Sequence, residues 1–240
     1  MSTILLAVTC LILTTALITV WSRWRKAART DYIRTYMFPT GLLEKFGFNR
    51  PELSLKDQHL VAHALRQYFL AHLKSGCKFV SMPSQVADDL WHEFILYTLH
   101  YNSFCQHAFG QFMHHTPAVV LGASRQNNAG LRRTWWYCCL EENINPKRAT
   151  RLPLLFSLDK KLNIANGYTY ALNCQGVKRE GAQSNSNTVY CGGDISSSSF
   201  DGSMEGFGSS SSVFGDATSD GGGGGGDSGG CGGGCGGGGD

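Results

Sequence analysis

The sequence lacks the short motifs that mark common nucleotide-binding and hydrolase sites. It has no G-x-S-x-G nucleophile pattern, no Walker sequence and no dinucleotide-binding glycine pattern, and the tail glycines follow no predicted strand and open no predicted helix. Strands do not alternate with helices, and no internal repeat is present. These absences leave a mainly α-helical fold class and suggest no particular reaction.

Lysine and arginine are absent after Arg179, whereas residues 180–240 carry 8 acids and a net charge of −8. Residues 1–179 hold all 21 basic residues and 10 acids, which gives a net charge of +11. A basic body with an acidic tail can contact anionic lipid or nucleic acid, or the tail can fold back on the body. We expect lipid because of the N-terminal segment. Nucleic acid ranks last among these partners because only net charge supports it, and such binding would weaken steeply with salt.

The N-terminus contains a long segment without charge. Residues 3–21 would reach about 28 Å as a helix, close to the ~30 Å hydrocarbon thickness of a bilayer. No ionisable side chain precedes this segment and four basic residues follow it, so the positive-inside rule places the N-terminus outside and the body in the cytoplasm. We therefore predict a transmembrane anchor over residues 1–24. The flanking residues are Trp21, Arg23, Trp24, Arg25, Lys26 and Arg29.

Two other interpretations of this segment are open. A cleaved signal peptide would have a basic start and a small-residue cleavage site, but this segment ends in Trp21-Ser-Arg-Trp-Arg. A buried core helix would have a polar face, which is missing. The nine cysteines, with Cys10 in the apolar run and Cys138 next to Cys139, form a poor disulfide framework and are typical of reduced thiols. A retained anchor with a cytoplasmic body fits all of these features.

Hydrophobic periodicity predicts two principal helices in the body. The first begins after Ser54, which pairs with Asp57 in an N-terminal capping pattern, and it ends near Gly76. The second is predicted as one amphipathic helix of six turns, opened by Pro83 and ending near Gly110. The apolar stripe of the second helix consists of Val86, Leu90, Phe94, Tyr97, Tyr101, Phe104, Cys105 and Ala108.

The remaining segments give weaker signals. Shorter helices are predicted over residues 130–143 and 152–162, and a short strand or extended segment over residues 168–174. From residue 184 onward Ser, Gly, Asn and Asp dominate, and such a stretch cannot bury enough apolar surface to become ordered. The composition of the whole chain excludes a multi-pass transporter and a large multidomain enzyme. The predicted domains are an anchor over 1–24, a juxtamembrane linker over 25–50, one small helical domain over 51–180 and a disordered, acidic Gly/Ser-rich tail over 181–240.

The histidines are clustered, since all eight lie between His59 and His115. Imidazole is the commonest metal ligand in proteins, so this clustering suggests a metal site. His92 is the strongest candidate, because Asp88 lies four residues earlier on the same helix face and can orient its ring. His114 and His115 follow the predicted helix end, on a turn that can fold back. Asp88, His92, His114 and His115 are therefore the candidate ligands of a metal site, with Glu93 and His100 as further candidates. The ion is unknown, with zinc as the candidate.

The other candidate side chains have simpler interpretations. His59 and His63 have the spacing for two ligands on one helix face, but no glutamate follows His59, and a solvated polar face explains both. His72 lies on an apolar stripe, where a hydrogen-bonded core histidine is usual. Cys105 also lies on an apolar stripe, which favours packing over nucleophilic chemistry. In the tail, Cys231 and Cys235 form a Cys-x3-Cys pair. They can hold a soft metal ion, with Cys191 as a third ligand, or they can be an inert end of the chain.

Two stretches carry a recognisable pattern. Residues 82–117 read MPSQVADDLWHEFILYTLHYNSFCQHAFGQFMHHTP, and residues 152–174 read LPLLFSLDKKLNIANGYTYALNC, ahead of a Cys/Gly-rich end. Together they resemble the glycine-rich domain-containing protein-like family. Many members of that family carry a second histidine two residues after the first, where this chain has Phe94, so a His-x-His chelate is not available. The most specific positions are Asp88, Trp91, His92, Tyr101, Cys105, Phe109, Gly110, His114, His115 and Pro117.

That resemblance implies that the helical domain and the tail belong together, and it implies no reaction. The anchor, the basic run beside it and the lack of a complete catalytic set favour a single-pass membrane protein that binds or scaffolds at the cytoplasmic face. Its expected partners are the membrane and, through the tail, a protein. The alternative is a metal-dependent, hydrolase-like enzyme that uses His92 with His114 or His115. No other catalytic or cofactor-binding residue is predicted.

Overall fold

The computed structural model describes residues 2–115, 126–172 and 189–191. Of these residues, 67% are helical, which confirms the mainly α fold class. Residues 192–240 lie outside the described residues, and with them the predicted metal ligands Cys231 and Cys235. The elements are α1 (Ser2–Thr35), α2 (Leu42–Asn49), α3 (Leu55–Lys74), α4 (Gln85–Leu96), α5 (Thr98–Ala108), α6 (Gln126–Glu141), α7 (Leu154–Lys161), β1 (Thr169–Ala171) and β2 (Val189–Cys191).

Helix α3 forms the centre of the helical body, because α1, α2, α4, α6 and α7 all pack against it. Its start is the predicted capping box. The Ser54 hydroxyl accepts from the backbone N–H of Asp57 at 3.3 Å, and the Asp57 carboxylate accepts from the N–H of Ser54 at 3.1 Å. The chain leaves the helix at Gly76, which has a φ of 76°. Both ends of α3 were therefore readable from local sequence.

The predicted six-turn helix is wrong, because the structure contains two helices, α4 and α5, that meet at Tyr97. Tyr97 has φ −81° and ψ 60°, outside the helical region, and α4 starts after the N-cap Ser84 rather than at Pro83. In one straight helix, seven residues would separate Phe94 from Tyr101 by about 10 Å along the axis. In the structure their ring centroids are 5.2 Å apart in an edge-to-face contact. The break thus brings both rings into one core.

Residues 25–50, predicted as a juxtamembrane linker, hold the last turns of α1 and all of α2 in the structure. Ile33 and Leu42 are 0% exposed and Phe46 is 1% exposed. The ring of Tyr36 packs on that of Phe104 in α5, with centroids 4.6 Å apart. Because these side chains fill the core of the body, the segment is a packed part of it rather than a linker.

Helices α6 and α7 lie close to their predicted ranges of 130–143 and 152–162. After them β1 pairs in parallel with β2, and Tyr170 lies opposite Tyr190. Strand β2 falls within the predicted disordered tail, which corrects that prediction for residues 189–191. The reason is a short Val-Tyr-Cys run of strand-favouring residues in an otherwise polar segment.

Helix α1 is one continuous helix whose apolar part packs against nothing in the described protein. Within the described residues, one segment is long and apolar enough to cross a membrane, Ile4–Thr35, and its most apolar window has a mean hydropathy of 2.4 and is 0% buried. The hydroxyls of Thr9, Thr14 and Thr19 each donate to a backbone carbonyl one turn earlier, at 2.8–2.9 Å. These polar groups are thus satisfied within the helix, as a lipid environment requires.

Candidate metal centre

Helix α4 supplies the first two ligands of the candidate metal centre. The Ser84 hydroxyl accepts from the N–H of Ala87 at 3.2 Å and fixes the start of the helix. Asp88 and His92 then lie one turn apart on the same face, with Nδ1 of His92 3.7 Å from Oδ2 of Asp88. The His92 side chain is 51% exposed and that of Asp88 is 21% exposed. Solvent therefore reaches this face of α4 from the His92 side.

The third ligand comes from the segment that follows α5. Gly110 has a φ of 79°, which turns the chain back at the end of α5. Buried Tyr101 then holds the returning segment: its hydroxyl donates to the backbone carbonyl of Met113 at 2.6 Å and accepts from Nε1 of Trp91 at 3.2 Å. Because Trp91 is itself in α4, this chain of hydrogen bonds fixes residue 113, and with it His115, beside α4.

His115 lies against both α4 ligands. Its Nε2 is 3.0 Å from Oδ1 of Asp88. Its ring centroid is 4.5 Å from that of Trp91 and 4.3 Å from that of His92. The side chain is 13% exposed, so His115 forms the inner wall of the cluster and His92 its outer edge.

The donor atoms of Asp88, His92 and His115 all lie within 4.8 Å of one another. Around a tetrahedral zinc ion with bonds of about 2.0 to 2.1 Å, neighbouring donor atoms are about 3.3 Å apart, so small side-chain movements would bring all three onto one ion. A set of two imidazoles and one carboxylate suits zinc and related divalent transition metals. Three protein ligands would leave at least one coordination position for water or another molecule.

The predicted ligand set is only partly brought together. His114 is exposed and its ring packs on Phe112, with centroids 4.8 Å apart, so it lies outside the cluster. Glu93 pairs instead with Lys45 at 2.8 Å and accepts from Asn49 at 2.8 Å. His100 is exposed at the start of α5. The carboxylate of Asp88 lies closer to His115 than to His92, the residue that the sequence predicted it to orient.

The other candidate side chains of the body are either exposed on a helix surface or packed in the core. His59 and His63 are exposed on α3. His72 is buried, and its Nδ1–H donates to the backbone carbonyl of Lys78 at 3.1 Å. Burial lowers the pKa of His72 to about 4, although that hydrogen bond opposes the shift. Burial raises the pKa of the Cys105 thiol, so this residue packs in the core as a neutral group.

Sequence reasoning missed two residues that support the site, Trp91 and Tyr101. Both stand in the pattern that prompted the family resemblance, where they could be read only as apolar positions. Their roles depend on a hydrogen bond across the break at Tyr97, which a single continuous helix would not allow. Recognising that break was therefore the missing signal.

Comparison with known proteins assigns the chain to a family. A family model described as UCP032817-like matches residues 28–195, more than half of the chain. The chain belongs to the UCP032817-like family. The matched range starts within α1, beyond its apolar part, and includes Asp88, His92 and His115. No curated protein matches the chain, and no solved structure does.

Proposed function

We propose that this UCP032817-like protein is a membrane-anchored binding module whose helical body holds a divalent transition metal through Asp88, His92 and His115. The observation that carries the proposal is the convergence of three donor atoms within 4.8 Å from two separate segments of the chain. Zinc is the expected ion, since two imidazoles and a carboxylate form one of its usual ligand sets. The hydroxyl of buried Tyr101 bonds to Trp91 and to the carbonyl of Met113, which supports the position of His115 beside α4.

The proposed anchor is the apolar part of α1. Its exposed leucines, isoleucines and valines would be costly in water, and its threonine hydroxyls are already satisfied within the helix. Basic residues stand only at its C-terminal side, so the positive-inside rule favours a cytoplasmic body and an outside N-terminus. The guanidinium of Arg25 lies 4.9 Å from the ring centroid of Trp21, an arrangement suited to the headgroup region. Anionic lipid is accordingly the first expected partner.

The proposal also includes the family resemblance and a role for the acidic tail. The relation to the glycine-rich domain-containing protein-like family rests on the residues around Asp88 and His92 and on the Cys/Gly-rich end. The acidic tail is a candidate contact for a protein partner, since it carries a net charge of −8. Nucleic acid has no support beyond the basic body.

Metal analysis of the full chain purified in detergent tests the proposed centre. After incubation with zinc and extensive dialysis, we expect about one equivalent of metal per chain by elemental analysis. His92→Ala and His115→Ala should each lose most of it. His114→Ala is the matched control, because it removes a neighbouring exposed imidazole outside the cluster and should retain the metal. Equal zinc in the His114 and His115 variants would rule out this ligand set.

A reporter fusion tests the orientation. An enzyme that is active only outside the cytoplasm, fused to the C-terminus, should be inactive, and the same enzyme fused before Ser2 should be active. A salt-resistant and carbonate-resistant membrane fraction should contain both fusions. Activity of the C-terminal fusion would reverse the proposed topology, and recovery of a shortened soluble chain would instead indicate a cleaved leader.

A metal-dependent hydrolase is the second candidate function, and the solvent exposure of the cluster at His92 favours it. Asp88, His92 and His115 would hold the ion, and the ion would supply an activated water at neutral pH. Zinc-loaded protein would then hydrolyse activated ester or phosphoester probes faster than the His115→Ala variant does. Equal rates for the loaded protein and that variant would leave metal binding without catalysis.

A further inference from the structure

A cavity beside α3, separate from the metal cluster, has the features of a small-molecule site. It has a volume of about 310 Å³, at the lower end of the range for ligand sites. It lies where the end of α1, the middle of α3 and the end of α6 meet. Its lining residues are Arg34, His63, Arg66, Gln67, Leu70, Glu141 and Glu142.

Gln67 lines this cavity and carries an unsatisfied acceptor. The residue is 5% exposed, and its Nε2 donates to Oε1 of Glu142 at 3.2 Å. That bond fixes which end of the amide faces Glu142, and it leaves Oε1 buried without a hydrogen-bond partner among the described residues. A buried carbonyl oxygen without a hydrogen-bond partner destabilises the folded protein. A bound molecule with a hydroxyl or ammonium group would satisfy it.

Arg66 contributes a positive charge that no carboxylate neutralises in the described part of the chain. Its Nε donates to the backbone carbonyl of Tyr36 at 3.0 Å, and its guanidinium lies over the ring of Phe38, 5.0 Å from the centroid. Partial burial lowers the pKa of Arg66, and no neighbouring anion opposes that shift. The remaining N–H groups of the guanidinium are suited to a carboxylate or phosphate.

The two glutamates of the cavity are already paired with other groups. Glu141 binds Arg34 at 2.6 Å and also Lys74, and although its burial alone would raise its pKa, these two cations hold the pKa below its usual value. Glu142 binds Arg151 and accepts from the backbone N–H of Leu154 at 2.6 Å. The charge of Arg66 is therefore the one left for a ligand.

We propose that this cavity binds a small organic anion, a carboxylate or phosphate, that carries a hydroxyl or ammonium donor beside its anionic group. The anionic group pairs with Arg66, and the donor binds Oε1 of Gln67. His63, exposed at the edge, adds a further donor. The site is separate from the metal cluster and does not depend on it.

Titration calorimetry on the full chain in detergent, stripped of metal with EDTA, tests this site with two matched pairs of probes. L-malate and 2-hydroxypropyl phosphate carry the hydroxyl, whereas succinate and propyl phosphate lack it. We expect at least one hydroxylated probe to bind, and to bind about threefold to tenfold more tightly than its partner, which is the value of one hydrogen bond. No heat from any of the four probes up to about 10 mM, at constant ionic strength, would overturn the proposal.

Substitutions of the cavity residues test where the probes bind. Gln67→Met keeps the volume and should remove the preference for the hydroxylated probe while leaving the other probe unchanged. Arg66→Gln should weaken both members of a pair by more than tenfold, and Arg66→Lys, which keeps the charge, should weaken them less. His59→Ala, on the same helix but outside the cavity, should change nothing. If the Arg66 variants unfold, the Gln67 result still decides, and an unchanged preference in Gln67→Met would rule out this site.

Discussion

The imidazole Nε2 of His115 lies 3.0 Å from the carboxylate of Asp88, although 27 positions separate the two residues in the chain. The contact joins α4 to a segment that has already passed through α5 and turned back at Gly110. It depends on the hydroxyl of Tyr101, which ties this segment to α4 through Trp91. The aromatic core and the candidate metal centre are therefore parts of one arrangement.

Removing the Tyr101 hydroxyl should weaken metal binding without touching a ligand. Tyr101→Phe keeps the ring but leaves the carbonyl of Met113 and the N–H of Trp91 without their shared partner. We expect a loss of about 1–2 kcal/mol in the free energy of unfolding, and zinc affinity lowered about tenfold to a hundredfold, as for other groups that orient ligands. Urea unfolding and zinc titration measure the two effects.

Tyr97→Phe is the matched control for that variant. Tyr97 stands at the junction of α4 and α5, where its ring packs on that of His100 with centroids 6.4 Å apart. Its replacement should leave zinc affinity unchanged. Wild-type zinc affinity in Tyr101→Phe would show that the returning segment is held without this hydroxyl.

His72 should make the stability of the body depend on pH. Its pKa is about 4 in the folded protein because of burial, against 6.5 for an ordinary histidine. Between these values the unfolded chain binds the proton and the folded chain does not, so stability rises with pH across this window. We expect up to about 3 kcal/mol to be lost as the pH falls from 7 to 4. Denaturant unfolding at a series of pH values measures this loss.

Replacing His72 by asparagine isolates its contribution from that of the carboxylates. The amide N–H₂ of His72→Asn can still donate to the carbonyl of Lys78, but the side chain does not titrate. The variant should therefore show a flatter dependence of stability on pH between 4 and 6.5. Identical slopes in the two proteins would mean that other groups cause the acid sensitivity.

The features predicted correctly from sequence are those set by local signals. The start of α3 follows from Ser54 and Asp57, which are three residues apart and cap the same helix. The break at Tyr97 has no such signal, because it arises from the fit of Phe94 and Tyr101 into a shared core. Periodicity alone favours one long helix there, since both residues lie on the same stripe.

The same distinction applies to the candidate site. The pair Asp88 and His92 was predictable, because four residues on a helix define one face. The choice between His114 and His115 was not, since adjacent residues in an extended segment point in opposite directions. The bond from Tyr101 to the carbonyl of Met113, a tertiary contact, decides which of them faces Asp88.

Asp159 should be essential for the stability of α4. This buried carboxylate, at the end of α7, accepts from the hydroxyl of Ser84 at 2.7 Å and from the backbone N–H groups of Gln85 at 2.8 Å and Tyr168 at 2.8 Å. Asp159→Ala removes the acceptor of these buried and half-buried donors, and we expect a loss of about 3 kcal/mol or more in the free energy of unfolding. Hydrogen exchange should accelerate first at the start of α4.

Two further variants give a scale for the loss of stability expected in Asp159→Ala. Asp159→Asn keeps one acceptor oxygen and should cost less than the alanine variant. Asp57→Ala removes a partly exposed cap of α3, and we expect it to cost about 1 kcal/mol, the usual value for a helix cap. Equal losses for Asp57→Ala and Asp159→Ala would show that the buried carboxylate acts only as an ordinary cap.

The two ends of α1 should contribute very differently to the stability of the body. Ile33 is 0% exposed in the core, whereas Ile18 is 64% exposed on the apolar part of the helix. Ile33→Ala creates a cavity, so we expect a loss of about 2–5 kcal/mol, whereas Ile18→Ala should change stability by less than about 0.5 kcal/mol. Deletion of residues 2–24 should likewise leave the unfolding free energy almost unchanged, and if the proposed anchor is correct, it should release the chain from the membrane fraction. If Ile33→Ala were as stable as Ile18→Ala, residues 25–50 would act as the juxtamembrane linker that the sequence predicted rather than as a packed part of the body.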